Sequence, residues 1–203
     1  LLIFMDDDML VHAAAIKKII ELADQYKEAT ININWVYPPE LLKEILQTKF
    51  GRYLHHYGFT SLKGWNHDQP WNDHELFQNI GVTSQFLAIH KNTFNSVNGY
   101  DESFPHAGFE DYDFSKRLRE KGVHFYIWPG DTVYHNETDR HELRKWLQRK
   151  ERGGETRKHA GLQGNLELEL HYTCVKKMIL RCLAISEKFC ILILDFLPTK
   201  LRL

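Results

Sequence analysis

Cysteine, proline and methionine are scarce in this chain of 203 residues, with three, six and three copies respectively. Cys174, Cys182 and Cys190 fall every eight residues in one C-terminal stretch. Their odd number and the lack of any CxxC pair speak against a disulfide framework or a cysteine-based zinc site, and for a reduced, cytosolic compartment. No secretory signal is visible. An excess of either charge is also missing. With 26 Lys and Arg against 27 Asp and Glu, the formal net charge is -1, which gives no reason to expect nucleic acid as the main partner. Long uncharged runs are missing from the tail: charges interrupt every window of about 18 residues that a bilayer would require. There is no internal repeat and no low-complexity tract. What remains is the composition of an ordinary globular protein, 43% hydrophobic and 26% charged, and long enough for one sizeable core plus an appendage.

The chain opens LLIFMDDDML. Leu1 to Met5 reads as a continuously apolar strand covered on both faces. Ile16, Ile19, Ile20 and Ala23 then give a helix one apolar face. Residues 30 to 37 alternate Ile31, Ile33 and Trp35 with Asn32 and Asn34, a strand period. Pro38-Pro39 starts a helix that runs to about Leu54. Residues 55 to 80 hold Trp65, Trp71 and four His without a clean period, and read as a long surface loop. A strand over Thr83 to His90 and a turn at Asn98-Gly99 follow. Next comes a helix with acids in its first turn, bases in its last, and Gly122 beyond its end. VHFYIW and TVYH read as two strands joined by a turn at Pro129-Gly130-Asp131. The remainder reads as helical, broken once at Gly153-Gly154, with a seam of Val175, Met178, Cys182, Ile185, Phe189, Leu192 and Phe196 at heptad spacing.

Three groups of residues carry candidate chemistry. Asp6 and Asp8 end a strand, where α/β sheets bind ligands, and two carboxylates one residue apart can face a single hard cation. In the alternative reading Asp8 caps the following helix and its neighbours are solvated turn residues. Glu110-Asp111 lies just inside a helix start, where the dipole stabilises a carboxylate anion suited to act as a base. Acids are also common as plain first-turn residues, the part assigned to Asp113. His135 ends a strand and offers a neutral imidazole as a third metal ligand, one among 12 histidines.

The order of these pieces is the specific signal. Strand-DxD, a strand and aromatic loop, GYDESF, GFEDYDFSKRL and a closing VYHN together resemble the family 2 glycosyltransferases, over about Leu1 to Asn136. The resemblance implies an α/β, GT-A-like (Rossmann-like) mixed sheet flanked by helices, over residues 1–140, followed by a helical extension over 141–203. It also implies metal-dependent, inverting transfer from a nucleotide-diphosphate sugar to a glycan or lipid-linked acceptor hydroxyl. By that resemblance Asp6 and Asp7 hold the nucleotide part of the donor, while Asp8, Asp6 and His135 hold Mn²⁺ or Mg²⁺. Asp111 is the general base and Glu110 helps hold the acceptor. Trp65, Trp71, Asp101 and Glu102 form the acceptor side. The bland alternative for the two tryptophans is that they anchor a loop to the core.

The family's fold normally begins with elements before the DxD strand, and the chain starts inside that strand. A longer chain, or a second component, is therefore the expected active species, and the 203 residues alone are expected to bind nucleotide weakly. Residues 171 to 203 carry six Lys or Arg against two acids. Such a basic amphipathic helix suits contact with the inner face of a membrane, or a homo-oligomer seam. Two other readings stay open: a non-catalytic sugar-binding or scaffolding module of the same fold, and a haloacid dehalogenase-like phosphohydrolase. The second would want Thr or Val where Leu10 stands.

Overall fold

A computed structural model describes residues 1–66, 69–138 and 142–162, together with 173–175, 178–179, 181–182, 185–186 and 189. In chain order the elements are β1 (Leu2–Met5), β2 (Met9–Leu10), α1 (Ala13–Gln25), β3 (Ala29–Val36), α2 (Pro39–Ile45), α3 (Lys49–His56) and α4 (Leu62–Trp65). They continue with β4 (Phe77–Asn79), β5 (Phe86–Ile89), α5 (Lys91–Ser96), α6 (Glu110–Glu120), β6 (His124–His135) and α7 (Leu143–Leu162). The six strands form one mixed sheet in the order β1-β5-β3-β6-β2, with β4 also paired to β6. Among the described residues only the β3–β6 pairing is parallel. This is the mixed α/β, GT-A-like class expected from the sequence.

β3 is the central strand and is buried along nearly its whole length. Ile31, Ile33 and Trp35 face a cluster formed with Ile19 of α1, Ile45 of α2 and Leu62 of α4. A second cluster joins Leu87 and Ile89 of β5 to Phe114 and Leu118 of α6. The alternation in β3 does not give a solvated face. Asn32 and Asn34 are buried too, and each is used as a staple. Asn32 Nδ2 donates to the carbonyls of Thr83 (2.8 Å) and Phe86 (2.9 Å), and Asn34 Nδ2 donates to Thr132 Oγ1 (2.9 Å). Buried amide groups that donate in this way fix the segments they bind, although Asn34 Oδ1 itself has no hydrogen-bond partner.

Several sequence expectations are corrected. β1 is an edge strand with one face open, Ile3 being 41% and Met5 54% exposed; its apolar run does not signal cover on both sides. α1 buries Ala15, Ile19, Leu22 and Ala23, leaving Ile16 and Ile20 exposed, because small Ala15 lets the helix lie close to the sheet one notch round from the bulkier stripe. The helix cap is His12, not Asp8. Its Nδ1 accepts from the Ala15 amide (3.2 Å), which leaves Nε2 to donate to the Thr132 carbonyl (3.3 Å). The single helix expected to reach Leu54 is split in two, since Thr48 Oγ1 accepts from the Gly51 amide (2.8 Å) and starts α3 afresh. Residues 55 to 80 are more than a surface loop, for α4 buries Leu62 in the core and β4 extends the sheet.

β6 runs through the expected turn without reversing. Ile33 pairs with Trp128 and Trp35 with Val133, so Pro129-Gly130-Asp131 is accommodated as a bulge. The Trp128 indole closes it by donating to Asp131 Oδ2 (2.9 Å), and a Cβ at Gly130 would overlap the Asp73 carbonyl. Gly153-Gly154 does not break α7, which continues across it. Of the C-terminal seam, Val175, Met178, Ile185 and Phe189 are exposed, whereas Leu192 and Phe196 lie outside the described residues. No helix among the described residues is long and apolar enough to cross a membrane.

Candidate active site

The three carboxylates occupy a tight turn between β1 and β2, closed by the Met9 amide donating to the Asp6 carbonyl (3.2 Å). β2 then pairs with β6 so that Met9 stands opposite His135, and the Asn136 amide donates to the Asp8 carbonyl (2.9 Å). This register, across more than 120 residues of chain, brings the Asp8 carboxylate to the His135 ring. Ligand atoms of Asp6, Asp8 and His135 lie within 4.8 Å of one another. Asp7, between them, points to solvent.

The contacts of this cluster are those of groups aimed at a common point rather than at each other. Asp8 Oδ1 is 3.1 Å from His135 Nε2, yet it has no hydrogen-bond partner, and buried His135 Nδ1 has none either. Such orphans are rare because leaving a buried polar atom unpaired costs about 1–3 kcal/mol. Burial, first, raises the Asp6 carboxyl above the usual range; His135 pulls it down, and Asp8, Glu137 and Asp7 push it up again. Two carboxylates and an imidazole form a donor set suited to Mn²⁺ or Mg²⁺, and a cation held with His135 Nε2 would satisfy Asp8 Oδ1 and offset the repulsion together, while Nδ1 faces away on the other side of the ring.

His135 itself is 2% exposed and wedged edge-on against Trp35, with ring centroids 4.9 Å apart. Trp65 packs edge-on against the same Trp35 at 5.6 Å. Trp71 packs on Phe77 of β4 and lies under the Lys63 ammonium. Both predicted acceptor tryptophans thus have core contacts, and Trp65 is one ring removed from His135. Asp101 Oδ1 accepts from the Ser103 amide (2.9 Å) and hydroxyl (2.6 Å), shaping its own turn, and Glu102 beside it is exposed.

Asp111 opens α6 beside the segment leading into β5. Its Oδ2 accepts from the Ser84 amide (3.1 Å) and hydroxyl (3.3 Å), and its Oδ1 from the Tyr100 hydroxyl (2.8 Å). Burial pushes this carboxyl up to about 6. The Tyr100 hydrogen bond opposes burial, Glu110 adds repulsion, and the Ser84 bonds favour the anion. Burial and the same carboxylate drive the Tyr100 hydroxyl far above its ordinary range, so it stays a donor. The two clusters share a support. Ser84 holds Asp111, while the Asp6 amide donates to the carbonyl of the next residue, Gln85 (3.1 Å).

Glu110 accepts from the Gly108 amide and so bends back over the loop before α6. There Phe109 has a left-handed backbone (φ 71°) as the residue before the helix. Asp113 is buried and pairs with Arg117 at 2.8 Å, and Arg117 donates on to the carbonyls of Val97 and Gly99, tying α6 to the turn that carries Tyr100.

Sequence reasoning missed Ser84, Tyr100, Trp35 and Glu137. Tyr100 was available inside GYDE, and Glu137 two residues after His135. Nothing local marks Ser84 or Trp35, whose roles depend on long-range packing.

Comparison with known families places a glycosyltransferase-type domain here. Residues 77–142 match the family described as the N-terminal domain of galactosyltransferase, about a third of the chain. The matched span contains Ser84, Tyr100, Glu110, Asp111, His135 and Glu137, while Asp6 to Asp8 lie before it. No curated protein matches the chain.

Proposed function

We propose that this chain transfers a sugar from a nucleotide-diphosphate donor to a hydroxyl of a glycan or lipid-linked acceptor, with inversion, at a site that uses Mn²⁺ or Mg²⁺. The observation that carries the reading is the convergence of Asp6, Asp8 and His135, with the buried Asp8 Oδ1 unsatisfied. The glycosyltransferase-type match over residues 77–142 supports sugar transfer in general.

Asp6, Asp8 and His135 would hold the cation. When bound, it offsets the negative charge that builds on the leaving diphosphate. Exposed Asp7 is free to meet the nucleotide. Asp111 takes the proton from the acceptor hydroxyl. A carboxyl near 6 is ionised at neutral pH, yet more basic than a solvated aspartate. Tyr100 and Ser84 fix its orientation, and Oδ1, which accepts only from Tyr100, keeps a lone-pair site for the incoming hydroxyl. Attack by that hydroxyl on the face opposite the leaving group inverts the anomeric carbon. Glu110, Asp101 and Glu102 border the same loops, and Trp65 and Trp71 would complete the acceptor side. Residues 1–140 would carry the chemistry, and 141–203 would serve as a helical extension, its far end touching a membrane surface or a second copy.

The test is nucleotide release by the protein at its full natural length, offered a panel of nucleotide-diphosphate sugars with Mn²⁺. Release should depend on the cation and fall at least a hundredfold in Asp8→Asn and in Asp111→Asn, the scale of losing one positioned acid–base or charge-stabilising group. Nuclear magnetic resonance of the product should show the inverted anomer. Release that persists in both variants would sink the proposal.

A further inference from the structure

α7 touches both halves of the site. Near its start Trp146 packs edge-on against Phe50 of α3 at 5.5 Å. One turn on, Arg149 forms an ion pair with Glu137, whose side chain is only 6% exposed. Towards its far end Phe109 lies against Gly153, the Arg157 guanidinium sits over the Phe109 ring (5.7 Å), and His106 Nε2 is 3.2 Å from Glu155. One helix therefore holds the residue next to the cation cluster and the loop that launches Glu110 and Asp111.

Glu137 is the unexpected member. Its Oε1 faces Arg149, and its Oε2 accepts from the Tyr37 hydroxyl (3.3 Å). That same Oε2 is 3.9 Å from His135 Nε2, the nitrogen nearest to Asp8. This is too long for a hydrogen bond, and Glu137 lies outside the group whose ligand atoms are all within 4.8 Å of one another, so it stands beside that group, close to its histidine. A buried carboxylate must be compensated by some positive charge. Here the Arg149 guanidinium supplies such charge, and the cation that the neighbouring cluster is suited to take would stand close by.

We propose that Glu137 lends its charge to the cation site from beside it, as a carboxylate shared with Arg149, so that docking of α7 and binding of the cation oppose each other. The inference rests on the reading of Asp6, Asp8 and His135 as a divalent cation site. Glu137 adds negative charge beside the ion and strengthens its binding. Arg149 draws on the same carboxylate and weakens it. Linkage makes the effect mutual: whatever Arg149 costs the cation, the cation costs the Arg149 contact. With the cation bound, α7 relaxes its hold near residue 149, and the loop at 106–109 that it also covers becomes easier for an acceptor to reach.

Opposite signs in two variants test this by Mn²⁺ titration calorimetry on the whole protein, without any sugar. Glu137→Gln should weaken Mn²⁺ binding about tenfold and Arg149→Gln should strengthen it several-fold, the usual scale of such couplings. Arg149→Lys, which keeps the charge, should stay near wild type. In hydrogen exchange, Mn²⁺ should speed exchange of the amides around residue 149. If Glu137 merely ties α7 to the body, both Gln variants change Mn²⁺ affinity in the same direction or not at all, and either result overturns the proposal. A wild-type protein that takes up no Mn²⁺ would overturn the cation reading itself, and this inference with it.

Discussion

The Tyr100 hydroxyl donates to Asp111 Oδ1 at 2.8 Å, across the ten residues between them that form the loop into α6. That bond favours the anion of a carboxyl which burial otherwise holds near 6. Tyr100→Phe should therefore raise the acid limb of the pH–rate profile of kcat/KM to higher pH, with Mn²⁺ affinity unchanged. A limb that stays in place or moves down would remove Asp111 from the role of base.

Cation binding should show in stability. A ligand at about 100 times its dissociation constant adds about 2.7 kcal/mol to a protein that binds it only when folded. Thermal melts with and without Mn²⁺ should differ accordingly in the wild type. Asp8→Asn and His135→Gln should erase the difference. A gain that survives both changes would place the cation elsewhere.

Asp111 also fixes a pH dependence of folding. Its folded carboxyl, at about 6, lies above the ordinary 3.8, and Asp6 is shifted in the same direction. Between those values the folded state holds more protons than the unfolded one. This contribution is therefore complete at low pH and is lost as pH rises from about 4 to about 6, with Asp111 accounting for up to about 3 kcal/mol. Other carboxylates act the opposite way, so the difference between wild type and Asp111→Asn isolates it. Urea unfolding at pH 4.5 and 7.5 should show the variant gaining relative stability at the higher pH.

Gly51 gives a prediction against propensity. Alanine at a helical glycine normally adds about 1 kcal/mol. Here a Cβ would overlap the carbonyl and side chain of Ile45 at the end of α2. Gly51→Ala should instead lower stability by at least about 1–3 kcal/mol, the scale of overpacking a tight contact. Equal or greater stability in urea would mean that α2 and α3 do not pack this closely.

How much of this was legible beforehand depends on how local each cause is. The DxD, the acidic start of α6 and the closing histidine could be found because each is a short pattern with a chemical reason. The α6 boundaries followed from charge at its two ends and Gly122. The burial of Asn32 and Asn34 could not be read, since alternation with isoleucine looks the same whether the polar face meets water or another strand. The exposure of Ile3 and Met5 had a similar cause, because an apolar run does not record whether a neighbouring strand is there to cover it. Asp8 was mistaken for a cap candidate because the sequence does not show that two residues of β2 intervene before His12 takes that part. Ser84 reaches Asp111 across 27 residues of chain through the packing of α6, which no short window of the sequence contains, whereas Tyr100 lies nearby in GYDE.

The bulge at Pro129-Gly130-Asp131 has a consequence for how this chain can vary. Between matched pairs β6 spends three residues more than β3. Three is odd, and strand side chains alternate sides, so the surplus inverts the phase of everything downstream, His135 included. Losing one of those three residues would leave every ligand and every core residue in the text of the protein, yet would turn the imidazole towards the opposite side of the sheet. The spacing of a few bland residues, and not only the identity of the reactive ones, is thus under chemical constraint.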